Sequence, residues 1–189
     1  MITAINKHNY ALVTLESSDE LTPLEDWLID PVFDDPTRAF EVGPRYWVVT
    51  GGNNVHVMTA EEIDSDPASV DEVRLAKRAQ INVLREQTFY SGFLDGAGVR
   101  WSSTPVDIAN INAVCTLVAV GAVTENQTWR DYNNVDHSLS PTDLITLAAQ
   151  MAVFGKTCYG VGWFHKTNID AMTKVSDINN YDITTGWPT

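Results

Sequence analysis

The chain has 189 residues, enough for one or two domains with a buried core. Hydrophobic residues make up 44% and charged residues 20%, the balance of a globular chain rather than a disordered one. Lys and Arg number 12 against 25 Asp and Glu, and the resulting −13 argues against nucleic acid or an anionic membrane as the main partner, because phosphate binding needs a basic face.

The N-terminal Met-Ile-Thr-Ala-Ile-Asn-Lys-His has no long apolar core, so no signal peptide is expected. Residues 1–72 carry 15 acids and three bases, a net of −12, whereas residues 73–189 carry 10 acids and nine bases, a net of −1. Ser65-Asp66-Pro67-Ala68-Ser69 sits near that change and reads as a helix start, with Asp66 as N-cap and Pro67 in the first turn. Two parts are therefore expected: an acidic, β-rich region over 1–66 and a mainly helical domain over 67–189. The fold class is α+β.

In the acidic part, residues 10–15 read as a strand. Residues 16–44, rich in Asp, Glu and Pro, read as ordered loop pinned to the core by Trp27, Leu28 and Phe33. Arg45–Thr50 and Val55–Met58 form a hairpin through Gly51-Gly52-Asn53-Asn54, since Gly and Asn accept positive φ.

After Pro67, the apolar residues Val70, Val73, Ile81 and Leu84 fall near one helical face. Val73, Ile81 and Leu84 approximate a short heptad and are candidate self-association contacts, although Lys77 interrupts the stripe. A glycine-rich hairpin is expected near 89–103. The next helix starts at Thr104-Pro105-Val106-Asp107, and Ile111, Val114, Cys115 and Val118 follow at helical spacing. A second hairpin is expected near 127–139, turning at Asn133-Asn134. A third helix starts at Ser140-Pro141-Thr142-Asp143. Both starts combine a hydroxyl cap, an early Pro and an Asp facing the positive end of the dipole. The last stripe continues through Phe154, Cys158, Val161, His165, Ile169 and Met172, a long or kinked helix. The longest uncharged apolar run, Val114–Val123, is about half of the ~20 residues of a membrane span.

That order of pieces resembles a small domain of unknown function that recurs in tailed-phage tail-fibre and tail-fibre-assembly proteins. The matching segments are Lys77–Arg85, Gly92–Gly96 with Trp101–Ser103, Trp129–Asn134 and Leu139–Leu144. Upstream, Pro44–Trp47 and Val55–Glu61 are similar to a linker in the same proteins. The resemblance spans roughly residues 44–175. It implies a virion or tail-assembly context, with other tail or neck proteins as partners, and it defines no catalytic residues. The chain has no long repetitive region, so a compact adaptor, collar, baseplate, fibre-attachment or assembly protein fits better than a fibre shaft.

The residues themselves supply little chemistry. His8, His56, His137 and His165 show no metal-ligand spacing and are expected to be structural. Cys115 and Cys158 are expected to be free, buried thiols. No nucleophile elbow or phosphate loop is present. Asp30, Asp34 and Asp35, with Glu41 nearby, are weak candidates for a Ca²⁺ site, against the simpler reading of a solvated acidic face. Trp101 and Trp129 lie on the two hairpins. They either pack internally or offer an aromatic contact to a subunit or a glycan. The expectation is a non-enzymatic, cofactor-free, homo-oligomeric component of the tail region of a virion, binding neither nucleic acid nor membrane. The alternatives are an assembly chaperone, a receptor- or glycan-binding module, and an enzyme that degrades surface polymers.

Overall fold

A computed structural model describes residues 2–6, 12–15 and 27–189. The chain divides into two compact units, residues 1–69 and residues 70–189.

Among the described residues the first unit is built on two small sheets. Strand β1 (Ile2–Asn6) lies between β2 (Leu12–Leu15) and β3 (Trp27–Ile29), antiparallel to both. In the second sheet, β6 (Asn54–Val57) is flanked by an antiparallel β5 (Trp47–Gly51) and a parallel β4 (Val32–Phe33). The expected hairpin is β5–β6. Its turn uses Gly51 and Gly52 at φ +137° and +54°, backbone that a β-carbon disfavours. Leu28, Ala39, Trp47, Val55 and Val57 form the core, with Phe33 packed edge-on against Trp47. Tyr10, Ala11 and residues 16–26 lie outside the described residues.

The acidic stretch is not all loop. It contains β3, β4 and a helix, α1 (Pro36–Val42), whose first turn is capped by the Asp35 carboxylate accepting from Arg38 N–H at 2.9 Å. A further short helix, α2 (Ala60–Ser65), stands where a linker segment is expected. Thr59 and Glu62 close a reciprocal capping box at its start.

The second unit is mainly helical. Helix α3 (Pro67–Tyr90) begins where the Asp66 carboxylate accepts from Ser69 N–H at 2.8 Å. Then come hairpin β7–β8 (Phe93–Leu94, Arg100–Trp101), α4 (Pro105–Ala119) and hairpin β9–β10 (Gln127–Arg130, Asp136–Leu139). Helix α5 (Pro141–Asp170) follows, and a short α6 (Val175–Asn180) closes the chain. Both S/T-P-x-D starts are complete capping boxes.

Helix α5 is continuous over 30 residues and forms the spine of the unit. Leu144, Leu147, Met151, Phe154 and Cys158 join Trp101 and Ile111 in one core. Ile169 joins Ile81 and Ile183 in another. Gly155 sits at a close approach, where a β-carbon would lie 3.0 Å from the Phe89 ring, whereas Gly160 faces open space. By length and composition α5 is also apolar enough to cross a membrane, yet nine of its residues are interior to its own unit.

Candidate interaction surface

The two hairpins share one turn chemistry. At the first, Asp95 Oδ1 accepts from the backbone N–H of Ala97 and Val99 at 2.8 and 2.9 Å, and Oδ2 accepts from Trp101 Nε1 at 2.7 Å. At the second, Asp131 Oδ1 accepts from Asn133 and Val135 at 2.8 and 2.9 Å, and Oδ2 meets His137 Nε2 at 3.1 Å. The left-handed position is Gly98 in one turn and Asn134 in the other. Burial pushes the Asp95 carboxyl up, but these donors outweigh it and hold it below the usual range. The Val135 N–H, helped by His137, does the same for Asp131.

The correspondence continues down the chain at a fixed spacing of 36 residues. Asp95, Val99, Ser102, Pro105, Asp107 and Ala113 recur as Asp131, Val135, Ser138, Pro141, Asp143 and Ala149. Residues 93–119 and 129–155 are therefore two versions of one hairpin–helix piece. The two pack on each other. The Trp101 and His137 rings, at equivalent positions, lie 5.1 Å apart. Cys115 on the last half of α4 reaches the Leu144 carbonyl on the first turn of α5, at 3.6 Å. Tyr132 N–H donates to the Arg100 carbonyl at 2.9 Å, and the Arg100 guanidinium lies over the Tyr132 ring.

The expected contact residues fall in different places. Trp101 is 4% exposed and Ile81 fully buried, so neither offers a surface to a partner. Trp101 was drawn inward because its indole N–H has the Asp95 carboxylate as a partner inside the fold. Trp129 is half-buried against the same core, Leu84 packs on the Ile81–Ile169–Ile183 cluster, and Val73 is half-buried. The heptad-like stripe of α3 thus serves its own unit.

The most exposed aromatics are elsewhere: Phe40 on α1, at 78%, and two neighbours on α5. Trp163 and Phe164 are each 62% exposed and Val153 64%, all on the side of α5 opposite its buried stripe. Ile145 and Tyr159 add to this surface, and Tyr159 lies 6.1 Å from Trp163. Along that side Lys156 is the single charge among Ile145, Ala149, Ala152, Val153, Gly160 and Phe164. A groove of about 460 Å³ runs beside it between β7 and α5, lined by Phe93, Leu94, Ala149, Val153 and Phe154 with Asp95 and Gln150 at its polar edge.

The acidic candidates are held apart by structural duties. Asp35 caps α1. Asp34 Oδ1 accepts from Val57 N–H at 2.8 Å and its Oδ2 bonds His56 Nδ1. Asp30 stands at a turn with φ 46°. Among the described residues, no group of three or more His, Cys, Asp or Glu is arranged to hold a metal ion.

His56 has a second carboxylate, Glu62, at 3.0 Å from Nε2. Asp34 first, then Glu62, raises its pKa above the ordinary value. His165 is buried. Its Nε2 donates to the Thr185 carbonyl at 3.0 Å, which fixes the tautomer, and its Nδ1 accepts from Tyr181 Oη at 2.9 Å. Both cysteines are free, and burial pushes the Cys158 thiol up to about 11.

The fold and surface define an α+β chain with a small acidic β unit and a helical unit made of a doubled hairpin–helix piece. A family model described as a domain of unknown function, DUF4376, matches residues 72–185, more than half of the chain, and the chain belongs to that family. No curated protein and no solved structure matches it.

Proposed function

We propose that this chain is a structural component of a tailed-phage virion, in or near the tail, that works by protein–protein contact and is present in several copies. The observation that carries the contact role is the outer side of α5, where Val153, Trp163 and Phe164 stand well over half exposed on a side with a single charge. Large apolar side chains gathered on one side of a core helix mark an interaction surface. The tail context rests on the ordered resemblance of residues 44–175 to the phage domain. The acidic residues 1–72 then dock to basic neighbouring subunits, and residues 73–189 carry the apolar contact.

A catalytic role has less support. The displaced pKa values of Asp95, Asp107, Asp131 and Asp143 are each accounted for by a turn or a helix cap. A glycan-binding role has one observation behind it, the exposed Trp163 ring, whose neighbour Tyr159 is covered on one face by the Arg85 guanidinium. Immunogold labelling of intact particles with an antibody to the helical unit tests the first reading. Gold is expected at the tail region, and label confined to detached or partly assembled material would contradict it.

A further inference from the structure

We propose that the seam between α3 and α5 binds a sugar bearing one carboxylate, with the sugar ring on the Trp163 indole and the carboxylate on the Lys166 ammonium. This names a ligand class for the glycan reading above and rests on it. It is independent of the tail reading.

In a chain of net −13, three cations gather at this seam: Arg78 and Arg85 on α3 and Lys166 on α5. At 100° per residue, Tyr159, Trp163, Lys166 and Asp170 fall within about 60° of one another around α5. From α3, one neutral oxygen serves two of the cations. Asn82 Oδ1 accepts from Lys166 Nζ at 2.6 Å and from Arg85 Nη1 at 3.4 Å. The Arg85 guanidinium lies 4.4 Å from the centre of the Tyr159 ring, which is 6.1 Å from that of Trp163.

The carboxylates nearby belong to the two arginines. Asp170 meets Arg78 through both oxygens at 3.1 Å, and Glu86 meets Arg85 at 3.2 Å. Among the described residues, no carboxylate stands at ion-pair distance from Lys166. Burial, then the Arg85 and Arg78 guanidinium groups, lower its pKa, and Asp170 offsets them only in part. An anion at Lys166 relieves this repulsion. An ammonium has three N–H donors, and Asn82 takes one, so two remain for carboxylate oxygens.

Three cations against two carboxylates leave +1, which matches a single carboxylate, and the charge of the whole chain repels a polyanion. The second half of the site is the indole. Trp163 is 62% exposed and offers a flat face with negative π density, to which the C–H face of a pyranose is complementary. Residues at i and i+3 hold their β-carbons about 5–6 Å apart, roughly the width of one pyranose ring. A sugar lying on the indole therefore brings a ring carboxylate to the ammonium. An Asp or Glu side chain of a protein partner would leave the indole uncovered.

NMR titration of the full chain with methyl β-glucuronide tests this. The expected dissociation constant is about 1 mM, from the ligand efficiency ordinary for compounds of this size, with the Trp163 indole N–H resonance shifted. Methyl β-glucoside, which lacks the carboxylate, should bind about tenfold more weakly. Lys166→Met should bring the glucuronide down to the glucoside level, and Lys166→Arg should retain it. Trp163→Ala should abolish binding of both sugars. Phe164→Ala, equally exposed but turned 100° around the helix, should leave binding intact. Circular dichroism checks that each variant is folded. Equal binding of the two sugars, undiminished in Lys166→Met, would overturn the carboxylate and keep the glycan reading. No binding of either sugar overturns both. A glutamate-containing peptide that binds more tightly than the glucuronide would overturn the sugar in favour of a protein carboxylate.

Discussion

Gly92 shows how tightly single positions are set in the helical unit. Its φ is +83°, and a β-carbon there would lie 2.5 Å from the Trp101 carbonyl oxygen and 3.1 Å from the Tyr132 ring. Gly92→Ala should therefore cost about 3 kcal/mol, combining the left-handed backbone penalty with overpacking. Gly96→Ala, with open space and no positive φ, should be neutral or slightly stabilising. Urea unfolding of the two variants checks the contrast. Cys158 is governed by burial in the same way. A fully buried thiol with its pKa pushed up to about 11 has almost no thiolate at pH 8. Mass-spectrometric mapping of thiol labelling should find Cys158 modified only after denaturation, and rapid labelling of the native chain would refute its placement.

At the scale of elements, His56 ties three pieces of the acidic unit together. Its ring bridges Asp34, next to β4, and Glu62 on α2, and it sits on β6 itself. Its pKa is raised from 6.5, so its contribution is complete below that value and is lost as pH rises through the folded pKa. Asp34 and Glu62 are lowered from 3.8 and 4.5. The Val57 N–H is the first cause for Asp34 and the Thr59 N–H for Glu62. Their contribution is present above those values and is lost as pH falls through the folded ones. The bridge is thus complete between about pH 5 and 6 and weakens on both sides. Amide exchange at Thr59 and Glu62 should quicken from pH 6 to 9 beyond its intrinsic pH dependence. His56→Gln should remove the excess, and a persistent excess in that variant would contradict the bridge.

The elements that sequence alone revealed were those with strong local chemistry. Thr104-Pro105-Val106-Asp107 and Ser140-Pro141-Thr142-Asp143 announce helix starts because cap, proline and dipole agree, and both are capping boxes. Helices α1 and α2 were hidden because seven and six residues are too few to display a periodicity, and Asp and Pro around them read as loop. The 36-residue correspondence escaped because it is carried by a few identities. Its turns use Gly in one version and Asn in the other for the same left-handed position. The exposed side of α5 could have been found. Trp163 and Phe164 fall outside the stripe of Phe154, Cys158 and His165 at 100° per residue, which places them outward once the helix is taken as continuous. Trp101 is buried instead because of an Asp six residues away across a turn, a partner that helical or strand spacing does not display.

For the whole molecule, two features set the terms on which it meets others. Its charge is concentrated in one compact unit, and a group of exposed large apolar side chains, Trp163, Phe164 and Val153, lies on one side of the core helix of the other, while Phe40 stands exposed on α1 of the acidic unit. Such a division suits an adaptor that meets basic neighbours with one part and an apolar neighbour with the other. The measurement that bears most directly on the proposed virion role is quantitative mass spectrometry of particles purified from a lysate that expresses the chain, with copy number taken against the major capsid protein and the lysate as reference. Several copies per particle are expected. Absence from intact particles, with abundance in the lysate, would contradict a structural role and leave an assembly chaperone in its place.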